Sequence, residues 1–169
     1  MATYNLIATV EVGSGGASSI TFSDIPQTYT DLQMVISARQ STAGGTTVAM
    51  KFNGSSASYS NKNVLAVPSG AISEQTITTS TNVGFLPEAV NYTANVFSNQ
   101  GVYISNYTGS TYKSVCTDSC MENNSSTIYF GLFNGLWSST AAITSIQLTT
   151  ENGNFMQYSS ASLYGIKNS

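Results

Sequence analysis

The residues that could carry chemistry in this chain of 169 residues are two cysteines, eight acids and five bases, and there is no histidine. Without histidine, a Ser-His-Asp or Cys-His arrangement for nucleophilic catalysis cannot be built. The acids Asp24 and Asp31 are near in sequence, and Asp118 and Glu122 are four apart, but neither pair has a recognisable catalytic pattern. Turn capping and strand-end solvation explain these acids better, so we expect a protein that is not an enzyme.

Cys116 and Cys120 lie four residues apart in the segment VCTDSCM. A zinc site needs four ligands, and the sequence has no histidine or third cysteine to complete one. If the segment is a strand, the two positions share a face about 13 Å apart, which is too far for a disulfide without a turn. The sequence therefore predicts two free thiols, which suits a protein made in the cytoplasm, and it offers no cofactor site.

The charged fraction is 8%, against about 25% in a typical soluble domain. The five bases (Arg39, Lys51, Lys62, Lys113 and Lys167) form no cluster in sequence, and the net charge is −3, so nucleic-acid binding is not expected. No apolar run approaches the roughly 20 residues of a membrane span, and the N-terminus does not resemble a signal peptide. We expect neither a membrane nor a nucleic-acid partner.

The apolar residues follow a period of two, which predicts strands throughout. Leu32, Met34, Ile36 and Ala38 alternate with polar or smaller residues, and Leu6 to Val12, Ile20 to Phe22 and Val48 to Phe52 do the same. Further strands are predicted at these segments: 71–79, 96–97, 102–104, 112–120, 128–133, 143–148 and 162–166. Gly13–Gly16 is interpreted as a hairpin turn, Asn53–Gly54 as a turn, and 87–92 as one helical turn or a surface loop.

This pattern predicts a single all-β domain over residues 1–169, with eight to ten strands in an antiparallel β-sandwich. A jelly-roll is the expected connectivity, and another Greek-key order is the alternative. Strand order is not readable from the sequence.

The aromatic residues are the remaining candidates for binding, because their rings can stack on sugars or fill protein interfaces. They can equally be core residues. The set considered is Tyr59, Tyr92, Tyr103, Tyr107, Tyr112, Tyr129 and Trp137.

Several segments in a fixed order resemble a family of tailed-bacteriophage virion proteins found in phages of aquatic bacteria. They are Ile20–Arg39, then Phe52–Gly54 with Tyr59–Ser60, Ile104–Tyr107, Tyr112–Ser114, Trp137–Leu148 and Ser162–Ile166. The resemblance covers most of the chain from Ile20 to Ile166. It implies a structural protein of the particle, either a capsid decoration (cement) protein or a carbohydrate-binding domain of a tail fibre or adhesin.

We expect decoration, because the 169 residues contain no fibre shaft or virion-anchoring segment. Decoration implies a protein on the capsid exterior that binds the major capsid protein and copies of itself, with a trimer expected. Under the alternative, a glycan is the partner. The interface is expected in loops around Tyr59, Pro87, Tyr92, Tyr107 and Tyr112.

Overall fold

The computed structural model describes residues 3–43, 47–66, 70, 72–73, 79–85, 87, 91–122 and 128–167. That part of the chain contains twelve β-strands and no helix. The strands are β1 (Thr3–Glu11), β2 (Ser19–Phe22), β3 (Asp31–Ala38), β4 (Thr47–Phe52), β5 (Tyr59–Ala66), β6 (Ile72–Ser73), β7 (Thr81–Phe85), β8 (Ser98–Ile104), β9 (Lys113–Glu122), β10 (Ile128–Trp137), β11 (Ile146–Thr150) and β12 (Ser160–Lys167).

The strands form two antiparallel sheets. The large sheet has eight strands in the order β1-β12-β3-β8-β9-β10-β5-β6, and the small sheet has four in the order β2-β11-β4-β7. The expected all-β fold with two antiparallel sheets is confirmed and is consistent with a β-sandwich. The jelly-roll connectivity is not confirmed and stays a prediction.

The predicted alternation of apolar residues correctly identifies the buried residues of β2, β3 and β4. Leu32, Met34, Ile36 and Ala38 of β3 are all buried, whereas Val35 between them is 52% exposed. In the small sheet, the alternate residues of β2 and β4 are likewise buried against the large sheet. Residues i and i+2 of a strand point to one face, so a single buried stripe per strand fills the space between the sheets.

The first strand departs from its prediction. The register of β1 against β12 shifts between Leu6 and Ala8, which marks a β-bulge or a similar irregularity. An extra residue reverses the alternation, so Leu6 is 58% exposed although it was predicted to share the buried face of Ala8, Val10 and Val12.

The two predicted turns both carry the chain from one sheet to the other. The hairpin interpretation of Gly13–Gly16 is wrong, because β1 pairs with β12 whereas β2 pairs with β11. The Asn53–Gly54 turn is confirmed: both residues have positive φ, of 52° and 68°, and the Ser55 N–H donates a 2.9 Å hydrogen bond to the Phe52 carbonyl.

Several strand boundaries differ from the predictions. No strand was predicted at β5 or β7. Residues 96–97 precede β8 instead of forming a strand, and β11 begins three residues later than expected. Of the predicted strand 71–79, Ile72 and Ser73 form β6, while residues 71 and 74–78 lie outside the described residues. Strands β5 and β7 are rich in Asn, Thr and Ser, so no alternation of apolar residues marks them in the sequence.

Those missed strands form a polar part of the core. β7 packs against β9 and β10, and the groups brought together there include Asn63 on β5, Thr81 on β7 and Thr117 on β9. All three side chains are at most 4% exposed. Among the described residues, both amide atoms of Asn63 and the hydroxyls of Thr81 and Thr117 have no hydrogen-bond partner. This end of the sandwich therefore combines polar groups that have no hydrogen-bond partner with buried apolar residues such as Val83 and Phe133.

The described residues hold no helix of the length and apolarity needed to cross a membrane.

Candidate interaction surface

Of the five residues predicted to form an interface, Tyr59 is placed in the core. Its ring is 3% exposed, stacks on Trp137 with centroids 6.2 Å apart, and lies 6.1 Å from the ring of Phe52. Its hydroxyl accepts a 2.8 Å hydrogen bond from the Phe52 N–H, and burial raises its pKa. The prediction that Tyr59 lies in an exposed loop is wrong, because it starts β5 and points between the sheets.

Tyr107 is also buried, with a fully covered ring and a hydroxyl that donates to the Pro26 carbonyl. It too is wrong as an exposed interface residue. Pro87 is buried, and its carbonyl accepts a 3.0 Å hydrogen bond from the Gln40 N–H. Residues 88–90 of the predicted loop lie outside the described residues.

The other two candidates, Tyr92 and Tyr112, differ in how far they are exposed. Tyr92 is half-buried and meets Tyr129 edge to face, with centroids 6.3 Å apart, whereas Tyr112 is 57% exposed. The five predicted residues thus form no common surface, and only Tyr112 presents most of its ring to solvent.

Two of the five bases are removed from the surface by hydrogen bonds to carbonyls. The Arg39 guanidinium donates to the carbonyls of Tyr92, Thr93 and Val96 at 2.8–2.9 Å. The Lys113 ammonium donates to the carbonyls of Gly109, at 2.6 Å, and Thr111. Burial lowers the pKa of both groups. Each cation holds a loop in place, so the surface is even poorer in positive charge than the composition suggests.

The exposed apolar residues instead gather on one face. Ten large hydrophobic side chains among the described residues are exposed, and eight of them lie on the solvent side of the large sheet. We call this side the outer sheet face; its exposed apolar members are Tyr4, Leu6, Val35, Val64, Tyr103, Phe130, Leu132 and Leu136. The other two, Tyr112 and Tyr158, lie outside the strands.

The strand registers arrange the outer sheet face in rows across the sheet. One row runs Val35, Gly101, Asp118, Leu132 and Val64 across β3, β8, β9, β10 and β5. The next row runs Gln33, Tyr103, Cys116, Asn134 and Lys62 across the same strands. Apolar and polar groups are therefore interspersed across one broad surface.

Two shallow depressions lie on either side of β10. The first, of about 240 Å³, forms where Gly101 has no side chain; its lining includes Tyr103, Asp118, Leu132 and Asn134. A Cβ at Gly101 would come within 3.0 Å of an Asp118 carboxylate oxygen. The second, of about 260 Å³, lies toward β5 and includes Lys62, Asn134 and Leu136. One depression thus holds an acid and the other a base.

The aromatic ring on this face is fixed in position. The Tyr103 hydroxyl donates a 2.7 Å hydrogen bond to Oδ2 of Asp31, and Oδ1 of Asp31 accepts one of 2.7 Å from the Asn106 N–H. The hydrogen bond to Asp31, together with partial burial and the negative charge, raises the pKa of Tyr103 to about 12. Tyr103 stays neutral through the physiological range.

Both cysteines lie on the outer sheet face and are free, as predicted. Cys116 is exposed next to Tyr103 and Asn134, and Cys120 is half-buried next to Phe130. Their shared face follows from their spacing of four in β9.

The acids do not assemble into a catalytic or metal-binding group in the described part of the structure. There, no three residues among Asp, Glu, His and Cys lie close enough to hold a metal ion. Asp31 is committed to Tyr103 and Asn106, and Asp118 stands on the outer sheet face, while Asp24 lies in an exposed turn with a φ of 53°.

The sequence did contain a signal for this surface. Strand β10 carries apolar residues on both of its faces. Phe133 and Trp137 are buried on the inner face, whereas Phe130, Leu132 and Leu136 are exposed on the outer face. A strand with one face in solvent usually alternates apolar and polar residues. Apolar residues on both faces therefore indicate that the outer face is an interaction surface.

Comparison with protein-family models, with curated proteins and with solved structures finds no match to this chain.

Proposed function

We propose that this protein is a structural component of a tailed-bacteriophage particle, a decoration protein that binds the assembled shell through protein contacts. The observation that carries the proposal is the concentration of eight exposed apolar side chains on one sheet face. A concentration of exposed apolar side chains on one face supports an interaction site, because soluble monomers rarely expose large apolar patches. The resemblance from Ile20 to Ile166 supports the choice of a virus particle.

The low charge also supports a role in close packing. Charged groups must lose their hydration when they enter an interface, and unpaired ones oppose binding. Arg39 and Lys113 are buried, which leaves three bases for the surface. A protein that binds the assembled shell and not its free subunits stabilises the shell by mass action.

The experiment is to purify particles that carry this chain and to measure its location and copy number by imaging and quantitative gel analysis. A decoration protein is expected over the capsid exterior in a fixed ratio to the major capsid protein. Particles that lack it should rupture at a lower temperature. A copy number far below that of the capsid protein, or a position on the tail, would contradict decoration.

The depression beside Tyr103 supports a second candidate, a carbohydrate-binding domain of a tail fibre. An aromatic ring, a carboxylate and two amides (Tyr103, Asp118, Gln33 and Asn134) line it, and sugars bind to such groups by stacking and hydrogen bonding. Glycan-array binding that is lost in Tyr103→Ala, retained in Tyr103→Phe and unchanged in Tyr158→Ala would favour this candidate.

A further inference from the structure

We propose that a pocket between the loop before β8 and the turn before β12 binds one ring of a neutral sugar, with the Tyr158 ring as its stacking surface. The pocket holds about 200 Å³. Pockets for drug-sized ligands hold about 300–1,000 Å³, so this one suits a single ring. It shares no lining residue with the depression beside Tyr103 or with the exposed apolar members of the outer sheet face, so the site does not rest on the proposed function.

The backbone of Tyr158 is the first argument. The Ser159 N–H donates a 3.0 Å hydrogen bond to the Met156 carbonyl, which closes a turn with Tyr158 at its third position. Tyr158 has a φ of 70°, a left-handed conformation that turns usually give to glycine or asparagine and that is an outlier for a bulky residue. Strained residues of this kind cluster at binding and catalytic sites. The turn thus carries a tyrosine where glycine would fit without strain.

The side chain of Tyr158 has no hydrogen-bonding or aromatic partner within the described part of the chain. Its ring is 62% exposed, more than any other large hydrophobic side chain described there. The main chain around it is nevertheless fixed, because the Tyr158 N–H donates a 2.9 Å hydrogen bond to the Val12 carbonyl and Ser159 is buried. A fixed turn therefore presents an uncommitted aromatic ring at the pocket.

The two walls of the pocket are joined by one buried residue, Arg39, which is 3% exposed. Its carbonyl accepts a 2.9 Å hydrogen bond from the Met156 N–H in the turn, and its guanidinium donates to the carbonyls of Tyr92, Thr93 and Val96 in the loop. Both walls are therefore in place before a ligand arrives. Binding does not have to order them, which lowers its entropic cost.

The groups that line the pocket select the class of ligand. Asn95 and Gln157 line it, and their side-chain amides make no hydrogen bond in the described part of the chain. Amides both donate and accept, as sugar hydroxyls do, whereas an apolar ligand would remove these amides from water without a partner. Phe97 and Met156 add apolar surface for the C–H face of a sugar ring. The charged lining residue, Arg39, is engaged by carbonyls of the wall, so a neutral ligand fits best.

The test is a glycan array, followed by titration of the best-bound neutral glycan into the purified full chain. We expect a dissociation constant on the order of 1 mM for a single ring. Tyr158→Ala should weaken binding at least ~10-fold, because the stacking surface is lost, and Tyr158→Phe should bind within ~3-fold of the wild type. Tyr112→Ala removes another mostly exposed ring and is the matched control, which should bind like the wild type.

Two glycine variants separate binding from folding. Glycine adopts a φ of 70° without strain, so Tyr158→Gly should lose binding as Tyr158→Ala does, with no fall in melting temperature. Asn95 has a φ of 63°, so Asn95→Gly keeps the backbone and removes one amide. It should weaken binding ~5-fold, the effect of one lost hydrogen bond.

Three results would overturn the inference: no binding of any neutral glycan, binding that is unchanged in Tyr158→Ala, or a preference for acidic glycans over their neutral counterparts. Loss of binding in Tyr103→Ala with full binding in Tyr158→Ala would also overturn it, because the sugar would then lie on the outer sheet face. Thermal unfolding checks that each variant folds, so a loss of binding in a folded Tyr158→Gly variant supports the site directly.

Discussion

The hydroxyl of Tyr103 on β8 donates a 2.7 Å hydrogen bond to the carboxylate of Asp31, at the start of β3. The same carboxylate accepts a second hydrogen bond from the backbone of Asn106, just beyond β8. Asp31 is 6% exposed and Tyr103 is 37% exposed. One buried acid therefore fixes both an exposed aromatic ring of the outer sheet face and the loop that follows its strand.

Tyr103→Phe should lower the free energy of unfolding by about 1 kcal/mol near neutral pH, the size of one hydrogen bond to a charged group at a partly exposed site. The pKa of Tyr103 is about 12 in the folded protein, above the value of about 10 for an unfolded tyrosine. The folded state thus favours the protonated hydroxyl. Its contribution is fully present below pH ~10 and is lost as the pH rises to ~12.

Urea unfolding of wild type and Tyr103→Phe at several pH values measures this effect. Tyr112→Phe, at a mostly exposed ring, is the control and should match the wild type throughout. A difference between wild type and Tyr103→Phe that grows above pH ~10 would contradict the assignment.

Arg39→Lys should destabilise the protein by about 2 kcal/mol despite keeping the charge. The planar guanidinium donates to three carbonyls of the segment 92–96 from two nitrogens, and a single ammonium cannot reproduce that geometry. Thermal unfolding measures the loss, and chymotrypsin should cleave more rapidly near Tyr92 and Phe97. Lys51→Met, at a partly exposed base, serves as the control. Equal cleavage rates in Arg39→Lys and wild type would show that the loop does not depend on this contact.

Thr117→Val should leave stability unchanged or raise it by about 1 kcal/mol, because it removes a buried hydroxyl that has no partner. Ser98→Ala is the comparison, since the Ser98 hydroxyl is also buried but donates a 3.0 Å hydrogen bond to the Ala38 carbonyl and accepts one from the Gln100 side-chain amide. We expect Ser98→Ala to cost about 1 kcal/mol. A similar loss in Thr117→Val, measured by urea unfolding, would show that its hydroxyl is bonded in solution.

Gly135→Ala should destabilise the protein by about 1–3 kcal/mol through overpacking. A Cβ at Gly135 on β10 would lie 1.9 Å from the Thr81 hydroxyl and 2.7 Å from its Cβ, so β7 would have to move away. Gly15→Ala is the control, because a Cβ there meets nothing within 4 Å. Thermal unfolding of the two variants should separate them clearly; equal melting temperatures would contradict the close approach of β7 to β10.

The period of two was enough to predict an all-β protein and the buried residues of β2, β3 and β4. Each of those strands buries one apolar stripe, and a local pattern records that directly. The free thiols could also be predicted, because a spacing of four in a strand keeps two cysteines on one face but apart. The bulge between Leu6 and Ala8 shows the limit of this reasoning, because nothing local in the sequence marks the extra residue.

The class of fold, the low charge and the absence of histidine-based chemistry could be predicted from the sequence, because they depend on composition and local periodicity. Which aromatic rings are exposed depends on the packing of the two sheets: Tyr59 and Tyr107 fill the core, while Tyr103 lies on the outer sheet face. The order of strands likewise placed Asp118 and Lys62 on either side of β10, although 55 residues separate them in sequence. Pairing between distant strands depends on how whole sheets pack, and no local pattern records it.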